Sequence, residues 1–134
     1  MASMNLSVVT PTGAVVDTEI SEATLPGAAG VFGVYPQHQP SLIMLGGGIM
    51  TFVGVDGEGE LLIRGGVAEI SGDSLLVITD HALEPSDADR EEAEGVLQGA
   101  IAELEAAEFL DDSTLLRLST DQRYAETVLK TAGH

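Results

Sequence analysis

Apolar residues arrive along the first two thirds of the chain in short runs, each cut by a turn signal. Residues 6–10 (Leu-Ser-Val-Val-Thr) form the first run, Pro11-Thr12-Gly13 interrupts it, and residues 14–17 resume it. Residues 17–25 alternate in part between polar and apolar positions. Residues 41–45 and 49–55 flank three successive glycines, Gly46 to Gly48, and Asp56-Gly57 then gives a strong hairpin signal. Residues 60–64 return from that hairpin. Gly65-Gly66 breaks the run, and residues 67–70 and 74–79 lie on either side of Ser71-Gly72-Asp73. Turns at this spacing predict a β-sandwich or barrel of about 8–10 short strands over residues 1–84.

The period changes at Glu84-Pro85-Ser86. Ser86 is placed to cap a helix, and acids crowd the first turn, where the helix dipole favours them. Ala93, Val96, Leu97, Ala100, Ile101, Leu104 and Ala107 then recur at helical spacing, with Glu91, Glu92, Glu94, Glu103 and Glu105 mostly opposite. A break over residues 109–113 offers Ser113 as a second cap. Leu115, Leu118, Ala125, Val128, Leu129 and Ala132 continue a weaker stripe to Gly133, where a helix is expected to stop. So short a link predicts an antiparallel two-helix hairpin over residues 85–134. The expected class is α+β, mainly β: a sandwich or barrel first, a helical hairpin after it.

The hairpin carries few large apolar side chains for its length, so ordering it alone costs more than its own burial returns. It has to dock on the β-domain or on another chain, and an element docked in that way can detach. A regulatory arm follows as an expectation.

Residues 25–40 depart from the strand pattern. Gly27, Gly30 and Gly33 recur every third residue, and Pro36 and Pro40 each fix φ and remove a donor. The expectation is a loop that presents a surface. A phosphate cradle fits poorly, because the residues after Gly33 cannot open a helix.

The charge of −17, from 22 acids against five bases, repels phosphate-rich partners and argues against binding nucleic acid or an anionic membrane surface. With no cysteine there is no disulfide, thiolate nucleophile or common structural zinc site. Aromatic residues make up only 4% and Trp is absent, so the core has to be aliphatic. No signal-peptide pattern opens the chain, and the most apolar uncharged run, residues 42–55, is too short to span a membrane. A soluble or peripheral protein is expected.

The histidines are His38, His81 and His134, none at metal-ligand spacing with another ligand. Asp80-His81 reads as a solvated pair at a strand end, and Asp56-Gly57-Glu58-Gly59-Glu60 as a hairpin turn too short for a calcium loop. No catalytic or metal-ligating residue is nominated, and no cofactor. The residues alone leave two readings open: a subunit that grips neighbouring chains, or a free-standing β-sandwich that binds a small ligand and dimerises through its hairpin.

Gly30-x-x-Gly33-x-x-Pro36-x-His38-x-Pro40 resembles the signature loop of the epsilon subunit of F-type ATP synthases, equivalent to the mitochondrial delta subunit. Three further stretches fit in order. They are Leu6-Ser7-Val8-Val9-Thr10-Pro11, Gly65-Gly66-Val67-Ala68-Glu69-Ile70 and Val77-Ile78-Thr79-Asp80-His81-Ala82. Gln37 departs from the glycine usual in that family, and Gln39 from its usual small residue.

The resemblance implies a non-catalytic central-stalk subunit of a proton- or sodium-translocating complex. It would lie peripherally on the cytoplasmic side of the inner or plasma membrane, without inserting. By the same resemblance, Ala28, Ala29, Gly30, Val31 and Phe32 would meet the rotor ring of c subunits, and His38 and Gln39 the gamma subunit. The hairpin would reach toward the catalytic alpha/beta head and restrain ATP hydrolysis. Residues 85–134 hold 12 acids and four bases, a net of −8, so electrostatic clamping on the head is expected to be weak. Some relatives bind ATP on the hairpin. Here Asp87 and Arg90 keep part of that motif and Arg123 could supply a second cation, but the neighbouring acids oppose a triphosphate and a capped first turn is the simpler reading.

Overall fold

Met4, Leu6 and Val8 are buried and alternate with better exposed positions, so β1 (Met4–Thr10) turns one face to a core, as its pattern predicts. The computed structural model describes residues 3–131. Ala132, Gly133 and His134, and with them the expected helix stop, lie outside the described residues. Six strands follow β1: β2 (Gly13–Gly27), β3 (Gly30–Val34), β4 (His38–Gly54), β5 (Gly57–Gly72), β6 (Ser74–Ile78) and β7 (Ala82–Leu83). They run in the order β1-β6-β5-β4-β2, and β2 pairs back onto β1 to close the ring. β3 lies on the free side of β2, β7 pairs with β5, and only β1 and β6 are parallel.

The strands are fewer and longer than the turn spacing suggested. Gly46–Gly48 and Gly65–Gly66 bend β4 and β5 without ending them, and the ladder continues through Leu45↔Gly66 and Gly47↔Arg64. Gly65 and Gly66 take φ of 83° and 129°, a region closed to most side chains. Beyond the bend each strand changes neighbours. Residues 67–71 of β5 pair with β6, while residues 51–54 of β4 pair with β2. Residues 25–40 likewise form less loop than expected. Pro26 and Pro40 sit inside β2 and β4 where the registers slip, so their missing N–H groups break no regular ladder.

The barrel is filled by aliphatic side chains, among them Leu6, Val8, Ile20, Leu25, Leu45, Met50, Ile63, Ile70 and Leu75. Leu61, Leu62 and Ile63 are all buried: Leu61 and Ile63 join the barrel core, and Leu62 joins a second cluster beneath the helices. That cluster is where the hairpin docks.

A 3-10 turn, Pro85–Asp87, leads into α1 (Arg90–Ala106). The cap is Asp89 rather than Ser86. Its carboxylate accepts from the N–H of Glu91 at 2.9 Å and of Glu92 at 3.2 Å. Pro85 commits its neighbours to the tighter turn, so the helix cannot begin until that turn is complete. Asp111 rather than Ser113 starts α2 (Asp112–Thr131), accepting from the Thr114 N–H at 2.7 Å. In both places the carboxylate also brings a negative charge to the positive end of the helix dipole, which a neutral hydroxyl cannot. α2 lies between α1 and the barrel, burying Leu118, Tyr124, Ala125 and Val128. α1 packs on α2 and fully buries only Ala93 and Ala100.

Candidate functional site

Residues 23–55 contain no Asp, Glu, Lys or Arg, although a fifth of the chain is charged. The fold exposes this neutral stretch in two connected parts, bordered by acids of the neighbouring strand: Glu69 stands in register beside Leu42, and Glu60 and Glu58 beside Thr51 and Val53.

The first part is the β2–β3 hairpin, whose turn is Ala28-Ala29 between the paired Gly27 and Gly30. A Cβ on Gly27 would lie 2.6 Å from the Gly30 carbonyl oxygen and 3.0 Å from the Phe32 ring, so the tight turn requires glycine there. The Ala28 N–H donates to the Met44 carbonyl at 2.9 Å and anchors the tip to β4. Of the five residues expected to face a rotor ring, Ala29, Gly30 and Val31 are exposed, with Val31 at 77%. Ala28 and Phe32 are half-buried, and Phe32 packs against the barrel core.

The second part is the outer face of β4, β5 and β6. Ile43 and Leu45 point inward, so Leu42 and Met44 point outward and stand 73% and 55% exposed. Register sets Met44 beside Val67, and Val67 beside Ile78, which is also half exposed. His38 and Gln39, expected to face a gamma subunit, begin the same strand. The His38 Nδ1 lies 2.7 Å from the Gln39 carbonyl oxygen, and Ser41 Oγ donates to that oxygen at 3.0 Å. Gln37, just before them, holds φ at +66°, the left-handed region that glycine adopts freely.

The third region is the seam between the hairpin and the barrel. A cleft of about 600 Å³ opens there between the glycine bend and the start of α2. Arg64 Nε donates to Asp121 Oδ1 at 2.8 Å, and its guanidinium lies 5.4 Å from the centre of the Tyr124 ring. The Tyr124 hydroxyl shares a hydrogen bond of 2.8 Å with His81 Nε2, the two rings meeting edge to face at 4.9 Å. Burial holds the His81 ring below its ordinary pKa of 6.5; Arg64 adds to that effect and Glu92 opposes it. Burial likewise raises the Tyr124 hydroxyl above its ordinary value. The solvated strand-end pair expected at Asp80-His81 is therefore half right. Asp80 is exposed, but His81 is drawn under α2.

The residues named for nucleotide binding are not brought together. Asp87 is exposed in the 3-10 turn, and Arg90 donates through Nη1 to the Leu129 carbonyl at 3.1 Å, tying the start of α1 to the end of α2. Arg123 faces a separate groove along Pro26, Gly27 and Gly48. Among the described residues no group of three or more His, Asp or Glu side chains is arranged to hold a metal ion, and no helix is long and apolar enough to cross a membrane.

Residues 3–85 match the family model described as ATP synthase, Delta/Epsilon chain, beta-sandwich domain. An ATP synthase epsilon chain of Neisseria meningitidis is 31% identical over 136 aligned positions, covering 100% of this chain and 96% of that one. The chloroplastic epsilon chain of Coffea arabica is 35% identical, covering 79% of this chain and 80% of its own. Among solved structures, a chain of the Euglena gracilis mitochondrial ATP synthase, described with its OSCP, F1 and c-ring, superposes with a TM-score of 0.75. It does so at 20% identity over 100% of this chain and 83% of that one, a likeness of fold. From its β-sandwich through its helical hairpin, this chain belongs to the epsilon chain family of ATP synthase.

Proposed function

We propose that this epsilon-family chain joins the central stalk to the rotor ring without performing chemistry of its own, its hairpin serving as a movable restraint on ATP hydrolysis. The observation that carries the reading is an exposed apolar strand face on an otherwise strongly acidic molecule, with exposed Glu69 in register beside Leu42. Residues 23–55 supply an exposed apolar strand face at Leu42 and Met44, continuous through the Ala28–Met44 hydrogen bond with the exposed tip at Ala29, Gly30 and Val31. Apolar surface of this kind fits protein partners. The strand face, with His38 and Gln39, takes the gamma subunit, and the tip takes the polar loops of the c subunits. With an apolar side chain at its crest, the tip relies on shape more than on charge. The protein sits peripherally, on the side of the membrane that carries the catalytic head. A module that dimerises through its hairpin is disfavoured, because the outward face of α1 is acidic at Glu91, Glu94 and Glu105 and two such faces repel.

The test is co-purification with the gamma subunit. Leu42→Glu should leave the barrel folded and weaken retention of gamma at least tenfold, since burying an unpaired carboxylate costs more than about 1.4 kcal/mol. Undiminished retention by Leu42→Glu, and likewise by Met44→Glu, would remove the gamma contact from this face.

A further inference from the structure

The hairpin lies on the barrel over an apolar cluster of Leu62, Tyr124, Ala125 and Val128, to which Ile49 and Leu83 contribute. Among the described residues, only two side-chain hydrogen bonds cross from residues 3–84 to residues 85–131. They are Arg64 to Asp121, and His81 to Tyr124. Both land within one turn of α2, and both start from the same corner of the barrel, where the Arg64 N–H also donates to the His81 carbonyl at 3.3 Å. Arg64 is the single Lys or Arg before residue 90, in a chain with 22 acids. Its place in this seam gives the corner a fixed positive charge.

We propose that Arg64, His81, Asp121 and Tyr124 form a catch that holds the hairpin down while His81 is neutral and loosens when His81 takes up a proton. This rests on the reading of the hairpin as a movable restraint. With its proton on Nδ1, the neutral ring accepts the Tyr124 hydroxyl at Nε2. A second proton at Nε2 makes that hydroxyl the acceptor and places a cation in a pocket that already holds the Arg64 guanidinium, which lies over the same tyrosine ring. From α2, Asp121 pairs with Arg64 at 2.8 Å and with Arg117 at 4.0 Å, and Arg117 lines the same cleft as a second cation. From α1, Glu92 favours the cation but is exposed, and Asp80 beside His81 is exposed as well. Burial and Arg64 outweigh Glu92, so the docked state prefers the neutral ring.

The sign follows by linkage. The titration of His81 is depressed when docked, so its contribution to docking is fully present above the free-ring value of 6.5 and is lost as pH falls through the lower docked value. Each pKa unit of depression changes the docking equilibrium about tenfold.

The chain has no cysteine, so Asp56→Cys with Gln98→Cys gives a clean spin-label pair between barrel and α1 in the full chain. One docked distance should dominate at pH 8, and a second, longer one should grow as the solution is acidified below 6.5. In His81→Gln, which keeps an acceptor without a titrating group, the distribution should not change with pH. In the unmutated chain, the His81 ring should titrate below 6.5 by NMR. Distances that do not respond to pH, an equal response in His81→Gln, or a ring titrating at or above 6.5 would each overturn the catch. Co-purification with gamma is scored separately: gamma lost with the pH response intact sinks the stalk reading and leaves the catch standing.

Discussion

Gln37 occupies a backbone conformation that its own side chain opposes. Its φ of +66° comes from the turn between β3 and β4, where its N–H donates to the Gly72 carbonyl at 3.1 Å. A non-glycine residue in the left-handed region costs about 1–2 kcal/mol, partly offset by the larger unfolded-state entropy of glycine. Gln37→Gly should therefore raise the stability of the chain by about 0.5–1 kcal/mol, measured as a higher denaturant midpoint at unchanged slope. That the residue persists next to the proposed gamma contacts at His38 and Gln39 fits strain held at a binding edge. The sequence does show Gln37 as an oddity within its motif. It does not show the value of φ, which depends on how Gly72 closes the neighbouring hairpin.

At the scale of elements, the strand alternation and the helical stripe were readable, and the glycine bends were not. A glycine run either ends a strand or bends it according to what lies alongside, and here the neighbours are distant in sequence. A Cβ on Gly47 would collide with the Thr120 carbonyl oxygen and come within 2.6 Å of the Tyr124 nitrogen, so α2 packs directly on bare backbone at the bend. Gly47→Ala should therefore lift α2 by about 1–3 kcal/mol of lost docking while the barrel stays folded. Hydrogen exchange would read this as faster exchange at α2 amides and unchanged exchange in β1 and β6; equal protection in α2 would contradict the close approach. The same contact explains why Tyr124 escaped the apolar stripe read from sequence. It is amphipathic, burying its ring while its hydroxyl reaches His81, and only the docked geometry reveals both halves. Leu115, which the stripe did include, is 45% exposed.

For the whole molecule, the sign and distribution of charge decide which partners are admissible. The net of −17, together with Arg90 already engaged by the Leu129 carbonyl and Arg123 in a different groove, leaves little to receive a triphosphate. Calorimetry with ATP should show no micromolar binding to the intact chain, and a micromolar isotherm would require the hairpin to rearrange around Arg90 and Arg123. The acidity was plain from composition. Where the apolar surface lies was only half visible, because Leu42, Met44 and the tip become neighbours only when β4 runs beside the base of the β2–β3 hairpin.

β4 and β5 pass unbroken through their glycine bend, so the tip, the outer strand face and the platform under α2 all hang on one pair of strands. A twist applied at any of these places is taken up as shear along one hydrogen-bonded ladder, which keeps a constant register from Ser41↔Ile70 to Gly54↔Gly57. For the stalk role proposed above, a part carried around by a turning shaft has to move as one body, and this continuity supplies the stiffness while the proposed motion is confined to the helical arm.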